Sequence, residues 1–235
     1  MALLKKLSIF FCILLISQSV FAQQQDYKEI TVEDIWRYYT FYPKSVYGLR
    51  SMNDGEHYTA LEGGIKIVKY SFESGDKIRD IFNIERVPGS DLDAIDDAYQ
   101  FSRDETKILF FSNSQRIYRR SFKAYYYVWD TIAKTLTPVS EKGMQQLADF
   151  SPDGSKVAFV RDNNLFIKDL DAGDEKQITD DGEFNRIING APDWVYEEEF
   201  EFAKGFHWSP DGQKIAYYKF DESDVRQFSM SMFKG

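Results

Sequence analysis

A segment that recurs about every fifty residues limits the folds open to this chain of 235 residues. FSRDETKILF, FSPDGSKVAF and WSPDGQKIAY begin at Phe101, Phe150 and Trp208, and each contains an aromatic residue, Ser, Asp, Lys and alternating apolar residues. A weaker copy, SMNDGEHYTA, begins at Ser51. Proline and glycine favour a tight turn, and the alternation that follows is typical of a strand. Each copy therefore predicts a turn that leads into a β-hairpin.

The spacing of the copies favours a β-propeller. Four-stranded repeats of about 40 to 50 residues are typical of propeller blades, whereas a β-sandwich has no such period. The 15 tyrosines and 20 phenylalanines can fill the faces between blades. We therefore predict an all-β fold, a partial β-propeller of about four blades over residues 46–235. The aspartates shared by the copies are separated by 50, 49 and 58 residues: Asp54, Asp104, Asp153 and Asp211.

Residues 1–22 have the pattern of a secretory signal peptide. Lys5 and Lys6 precede an apolar run, and small residues lead up to Ala22, after which we expect cleavage. The alternative is an uncleaved membrane anchor, although residues 17–19 are polar and leave the run short of the roughly 20 apolar residues that span a bilayer. We expect a periplasmic or secreted protein.

Residues 23–45 predict a short N-terminal helix that packs on the propeller and has no catalytic role. Ile35, Tyr38 and Tyr39 have helical spacing in TVEDIWRYYTF. Thr31 and Asp34 suit a helix cap, and we expect Pro43 to end the helix.

The charge and the cysteine content exclude several classes of function. The formal net charge of −9 and the absence of a basic patch with interleaved aromatic residues argue against binding of nucleic acid. The single cysteine, Cys12, lies in the predicted signal peptide. The remaining chain therefore has no disulfide, no thiolate metal site and no cysteine nucleophile.

The stretch DWVYEEEF, residues 193–200, falls in the longest interval between repeats, and we interpret it as an insertion carried by the propeller. Its acids repel one another, so either water or a cation must stabilise them. The run is either a solvated surface or a site for a metal ion, an internal Lys or Arg, or a ligand's ammonium group. Helical neighbours point about 100° apart, so two of the three glutamates can meet one ligand. Trp194 and Tyr196 suggest a half-buried segment whose glutamates face a cavity.

Metal and glycosidase chemistry fit the insertion poorly. It has no spaced Asp/Asn loop for calcium, and His207 is the only histidine near it for zinc. Paired-carboxylate glycosidases need acids on both sides of a bond, which adjacent residues on one element seldom provide. We expect neither a metal nor a cofactor.

A second segment, RIYRRSFKAYYYVWD, contains the adjacent arginines Arg119 and Arg120. In a strand, one of them would face each side of the sheet. Two interpretations are open. Either both arginines are surface residues, or one of them faces the propeller channel and donates to a substrate carbonyl. We interpret Tyr125 to Tyr127 as strand core.

DWVYEEE, the SPDG turns and the Arg-x-Ser-aromatic-x-Ala-x-Tyr segment together resemble the dipeptidyl peptidase IV family of prolyl-oligopeptidase-type serine peptidases. The resemblance implies the N-terminal part of an eight-bladed propeller that covers an α/β-hydrolase domain, often in a homodimer. It also implies removal of Xaa-Pro or Xaa-Ala dipeptides from peptide N-termini. Glu198 and Glu199 would hold the free α-amine, and Arg119 would contact a backbone carbonyl.

The family's nucleophile lies in a G-x-S-x-G motif, which is absent from these residues. We assign no catalytic residue, since His57 and His207 lie in or beside propeller turns. The chain also ends before a fourth blade is complete. We therefore expect the hydrolase domain to lie in further sequence and this chain to be inactive by itself. The alternative is a non-enzymatic exported propeller that binds or scaffolds, although such a module would not need the acidic insertion.

Overall fold

The computed structural model describes residues 29–43, 49–88, 92–96, 98–229 and 231. The chain divides into two compact units between Ser45 and Val46. The predicted signal peptide and Cys12 lie outside the described residues. Within the described part of the chain, no helix is long and apolar enough to cross a membrane.

The first unit contains one short helix, α1 (Val32–Trp36). The Thr31 hydroxyl accepts the Asp34 N–H at 3.1 Å, and the Asp34 carboxylate accepts the Thr31 N–H at 3.2 Å, so the predicted cap is confirmed. The helix is shorter than predicted, and Pro43 does not end it. It ends at Trp36, and Tyr39 has a φ of 47°, which a helix cannot accommodate.

The second unit contains three four-stranded antiparallel sheets, each with its strands in chain order, which confirms the predicted partial β-propeller. The first blade comprises β1 (Arg50–Ser51), β2 (His57–Glu62), β3 (Lys66–Ser71) and β4 (Lys77–Asn83), followed by a 3₁₀ turn (Ile84–Arg86). The second comprises β5 (Tyr99–Phe101), β6 (Lys107–Arg116), β7 (Phe122–Asp130) and β8 (Thr135–Pro138). The third comprises β9 (Gln146–Phe150), β10 (Lys156–Arg161), β11 (Asn164–Asp169) and β12 (Glu175–Gln177).

A fourth blade begins after these three but contains only two paired strands among the described residues, β14 (Phe206–Trp208) and β15 (Ile215–Tyr217). A further antiparallel pair joins β13 (Ile187–Asn189) to β16 (Lys219–Asp221). Between β13 and β14 lies the helix α2 (Trp194–Phe200). The acidic insertion is therefore a helix held between two strands of the propeller.

The recurring serine and aspartate form the same turn in three blades. In the third blade, Asp153 accepts hydrogen bonds from the Ser151 hydroxyl at 2.6 Å and the Ser155 N–H at 3.1 Å. Ser151 in turn accepts the Lys156 N–H at 2.9 Å, and Gly154 has a φ of 70° that favours glycine. The same contacts recur around Asp104 and Asp211. The repeat motif therefore records turn geometry and not a binding site.

These contacts predict how the turn responds to acid. Hydrogen bonds from Ser151 and Ser155 lower the pKa of Asp153 to about 2. The pKa of an aspartate in the unfolded chain is about 3.9. The ionised Asp153 therefore stabilises the fold above that pH, and this stabilisation is lost as the pH falls towards about 2. The free energy of unfolding should therefore fall more steeply between about pH 4 and 2 for the wild type than for Asp153→Asn, whose amide cannot titrate.

Urea unfolding at pH 6, 4 and 2.5 measures this difference. Asp171→Asn is the matched control, because Asp171 is exposed and its carboxylate accepts no hydrogen bond from a described residue. Equal pH slopes for Asp153→Asn and the wild type would contradict the prediction.

Adjacent blades pack through side chains that alternate along their middle strands. Ile108 and Phe110 of β6 pack in a cluster shared with the first blade, whereas Leu109 packs in a cluster shared with the third. Successive side chains of a strand point to opposite faces, so one strand serves both interfaces. The Phe82 and Phe110 rings, from the first and second blades, lie 4.9 Å apart. A third cluster joins β10 and β11 to Phe206 of β14.

Candidate functional site

Two glycines, Gly190 and Gly205, lie at the two ends of the segment that contains α2 and hydrogen bond to each other. Gly205 donates to the Gly190 carbonyl at 3.0 Å, and both glycines are hydrogen bonded to Tyr218. A β-carbon on Gly205 would lie 2.8 Å from the carbonyl carbon of Gly190, so this close approach needs glycine. The helix is therefore presented from a fixed position on the propeller.

Local capping sets the limits of α2. The Asp193 side chain accepts the Tyr196 N–H at 2.9 Å at the first turn, and Glu201 ends the helix with a φ of 55°. The Tyr196 ring contacts Phe220 of β16 with 4.9 Å between centroids, which ties the helix to the β13–β16 pair. Trp194 and Tyr196 are 54% and 44% exposed, which agrees with the half-buried segment that the sequence predicted.

The second blade reaches α2 through its long central hairpin. Strands β6 and β7 contain 10 and 9 residues, against 6 in each of β10 and β11. The loop between them spans residues 117–121 and contains both candidate arginines. Arg119 and Arg120 therefore lie in a loop, and the strand geometry considered for them does not apply. Tyr126 is buried in β7 and Tyr125 is exposed, so only part of the tyrosine run is core.

Glu197, the first glutamate of the run, points into the protein. Its side chain is only 1% exposed, and its Oε1 accepts the backbone N–H groups of Arg120 at 2.7 Å and Ser121 at 2.9 Å. The three glutamates therefore do not face a cavity as a group, because Glu197 alone of the three is fully buried. The 100° rotation per residue showed that one of the three must diverge, and the family resemblance, which assigns Glu198 and Glu199 to the ligand, left Glu197 as that residue.

The structure brings together two of the three predicted site residues. The Arg119 Nε lies 3.1 Å from Glu198 Oε2, with side chains that are 71% and 18% exposed. A second ion pair between the same loop and the C-terminal end of α2 joins Arg120 to Glu201 at 2.7 Å. Glu199 is exposed and has no ion pair with any described residue. Of the stabilising groups considered from the sequence, an internal arginine is therefore the one that meets Glu198.

A cavity of about 360 Å³ lies beside α2, and Tyr118, Asp193, Glu197 and Glu222 are among its lining residues. Burial raises the pKa of the Tyr118 hydroxyl, and the nearby carboxylates add to the effect. Burial and the neighbouring Asp193 also raise the pKa of Glu222. Arg119, Glu198 and Glu199 do not line this cavity. Among the described residues, no cluster of His, Cys, Asp and Glu could hold a metal ion.

A family model, the dipeptidyl peptidase IV (DPP IV) N-terminal region, matches residues 102–235. The chain belongs to the dipeptidyl peptidase IV family. The match includes both halves of the candidate site, the 117–121 loop and α2. The resemblance based on the acidic motif and the turns is thus confirmed.

Relatives in this family are longer proteins. The chain is 30% identical to the human prolyl endopeptidase FAP over 90% of its own length and 27% of that protein. It is 41% identical to a probable dipeptidyl-aminopeptidase B of Podospora anserina over 56% of the chain and 15% of that relative. The crystal structure of Porphyromonas gingivalis dipeptidyl peptidase 4 matches with a TM-score of 0.80 and 40% identity, over 88% of this chain and 30% of that chain. The chain therefore spans less than a third of each of these family members.

A more distant likeness shows the fold alone. An oligogalacturonate lyase in complex with manganese matches with a TM-score of 0.50 and 13% identity, over 74% of this chain. The blade framework therefore also occurs in a protein outside the peptidase family. The two histidines belong to this framework, since His57 contacts the turn residue Asp54 and His207 lies in β14.

Proposed function

We propose that the chain is the substrate-recognition propeller of an exported serine exopeptidase that releases Xaa-Pro and Xaa-Ala dipeptides from peptide N-termini. Glu198 and Glu199 hold the protonated α-amine, and Arg119 donates to a backbone carbonyl. The observation that carries the proposal is the contact between Arg119 and Glu198, which are far apart in the sequence but lie 3.1 Å from each other in this structure. The chain's membership of a peptidase family gives this contact its meaning.

The charges of this site suit one ammonium group. Glu198, Glu199 and Arg119 together carry one net negative charge, which a single protonated amine neutralises. Charge-assisted hydrogen bonds to a carboxylate are about twice as strong as neutral ones. The Arg119 guanidinium has five N–H donors and is 71% exposed, so it keeps donors for a carbonyl beside its contact with Glu198. The site therefore combines an acceptor pair on α2 with a donor on the 117–121 loop.

The chemical step belongs, in this proposal, to an α/β-hydrolase domain in further sequence, because these residues contain no G-x-S-x-G motif. The homologous proteins are several times longer than this chain, which supports the same division of labour. Export rests on the signal-peptide pattern of residues 1–22, and a homodimer of the full-length protein follows from family resemblance alone. The alternative is a non-enzymatic binding propeller.

Binding of an Xaa-Pro dipeptide before and after N-acetylation tests the proposal. Acetylation removes the charge of the amine, so calorimetry on the full native protein should show at least about a tenfold loss of affinity. The affinity of the free dipeptide should also fall as the pH rises above about 8, where the α-amine loses its proton. Affinity that is indifferent to acetylation would instead support the binding propeller.

A further inference from the structure

We propose that Glu197 is a positioning residue, which holds the Arg119 loop in place for the substrate and does not bind the substrate itself. The inference rests on the proposed function, since it assigns Glu197 a part in the same site. It separates the three adjacent glutamates into one that organises the protein and two that face the ligand.

Two backbone hydrogen bonds already engage one oxygen of the Glu197 carboxylate. Oε1 accepts two backbone N–H groups at 2.7 and 2.9 Å, and the side chain is 1% exposed. A buried carboxylate needs such donors, because an unpaired charge in the interior is costly. Glu198 and Glu199, in contrast, are accessible from solvent.

The donors belong to the two residues that directly follow Arg119. Arg120 and Ser121 lie 77 and 76 residues from Glu197 in the sequence, so the contact fastens the second blade to the insertion. The backbone hydrogen bonds inside the loop are limited to two, from the N–H groups of Ile117 and Tyr118 to the Ser121 carbonyl. The Arg119 side chain is largely exposed and is not restrained by packing. The Glu197 anchor and the ion pair with Glu198 therefore set the position of the guanidinium.

The length of the Glu197 side chain, more than its charge, should decide its effect. One oxygen atom accepts both N–H groups, and the amide oxygen of glutamine can occupy the same place. Aspartate keeps the charge but is shorter by one methylene, about 1.5 Å, and cannot reach both donors. A residue that bound the substrate amine directly would show the opposite order, because its charge would be essential.

The test compares Glu197→Gln, Glu197→Asp and Glu197→Ala in the full native protein, with the affinity for an unblocked Xaa-Pro dipeptide as the readout. We expect glutamine to stay within about threefold of the wild type. Aspartate and alanine should lose about 10- to 100-fold, the effect of misplacing a binding group by about 1 Å. Amide hydrogen exchange at Arg120 and Ser121 should be faster in these two variants only. Glu201→Gln, which removes an exposed pair on the same helix segment, is the matched control and should be within about twofold.

A thermodynamic cycle with Arg119→Ala separates positioning from a general loss of structure. If Glu197 acts through Arg119, then Glu197→Asp should cause little further loss of affinity once Arg119 is alanine. Losses that add fully in the double variant would overturn the inference. So would an inverted order, in which aspartate retains affinity and glutamine loses it as alanine does.

The outcomes also distinguish this inference from the proposed function. If the wild type binds the dipeptide and Glu198→Gln abolishes binding, the function stands whatever the Glu197 variants do. If the wild type does not bind the dipeptide at all, the function is wrong and the positioning role falls with it. The exchange rates of Arg120 and Ser121 then still report whether Glu197 fastens the loop.

Discussion

Replacement of Glu198 by glutamine is expected to remove most of the affinity for peptides with a free N-terminus. The substitution cancels the net negative charge shared by Glu198, Glu199 and Arg119, and it leaves Arg119 without its partner at 3.1 Å. A hydrogen bond to a charged group contributes about 1.5 to 3 kcal/mol, so the dissociation constant of an Xaa-Pro dipeptide should rise roughly 10- to 150-fold. Calorimetry with the full native protein measures this change.

Two further variants make the result specific to the proposed site. Glu199→Gln should lose affinity to a similar degree, because Glu199 has no competing ion pair with a described residue. Glu201→Gln should leave affinity within about twofold, since exposed pairs such as Arg120–Glu201 contribute little. The N-acetylated dipeptide should bind wild type and Glu198→Gln equally weakly. Unchanged affinity in Glu198→Gln would place the amine site elsewhere.

Truncation of Phe159 to alanine should destabilise the propeller by about 3 to 5 kcal/mol. Phe159 is completely buried in β10, in the cluster that joins the second and third blades, and its ring stacks 5.4 Å from that of Phe166. The Arg161 guanidinium also lies over the Phe166 ring at 4.1 Å, so a cavity at Phe159 disturbs more than one contact. Because domains of this size are stable by only about 5 to 15 kcal/mol, much of the stability should be lost.

Urea unfolding followed by tryptophan fluorescence measures this loss. Ile132→Ala is the control, since Ile132 lies exposed in the turn between β7 and β8 and its truncation should cost less than about 0.5 kcal/mol. Phe159→Leu should fall between the two variants. Similar losses at both positions would mean that the faces between blades do not hold the fold together.

The repeat was readable from the sequence because its signals are local. Ser151, Asp153 and Gly154 form their turn with neighbours a few residues away, so the motif and the structure it forms coincide. The alternation that follows each turn gave the strands for the same reason. The sequence left open whether the two arginines lie in a strand or at its end, because adjacent charged residues suit either place. In the structure β6 ends at Arg116, which leaves Arg119 and Arg120 in the connecting loop.

The N-terminal helix shows a similar limit. The capping residues Thr31 and Asp34 fixed its start, but apolar spacing over residues 35–39 did not carry it past Trp36. A helix of 5 residues gains few backbone hydrogen bonds, so its end depends on local backbone geometry such as the positive φ of Tyr39. The proline that follows was too distant to matter.

The sequence by itself determined the blades, the turns and the existence of an acidic insertion, since periodic apolar residues and turn-forming residues act over short distances. It also identified Glu198, Glu199 and Arg119 as candidates, through the family's motif. Only the tertiary structure decided that Glu197 is anchored to the backbone of the 117–121 loop and that Glu198 meets Arg119. The rotation of α2 is set by its contacts with Phe220 and with a loop more than seventy residues earlier, and helical periodicity fixes the angles between neighbours but not the direction in which the helix faces.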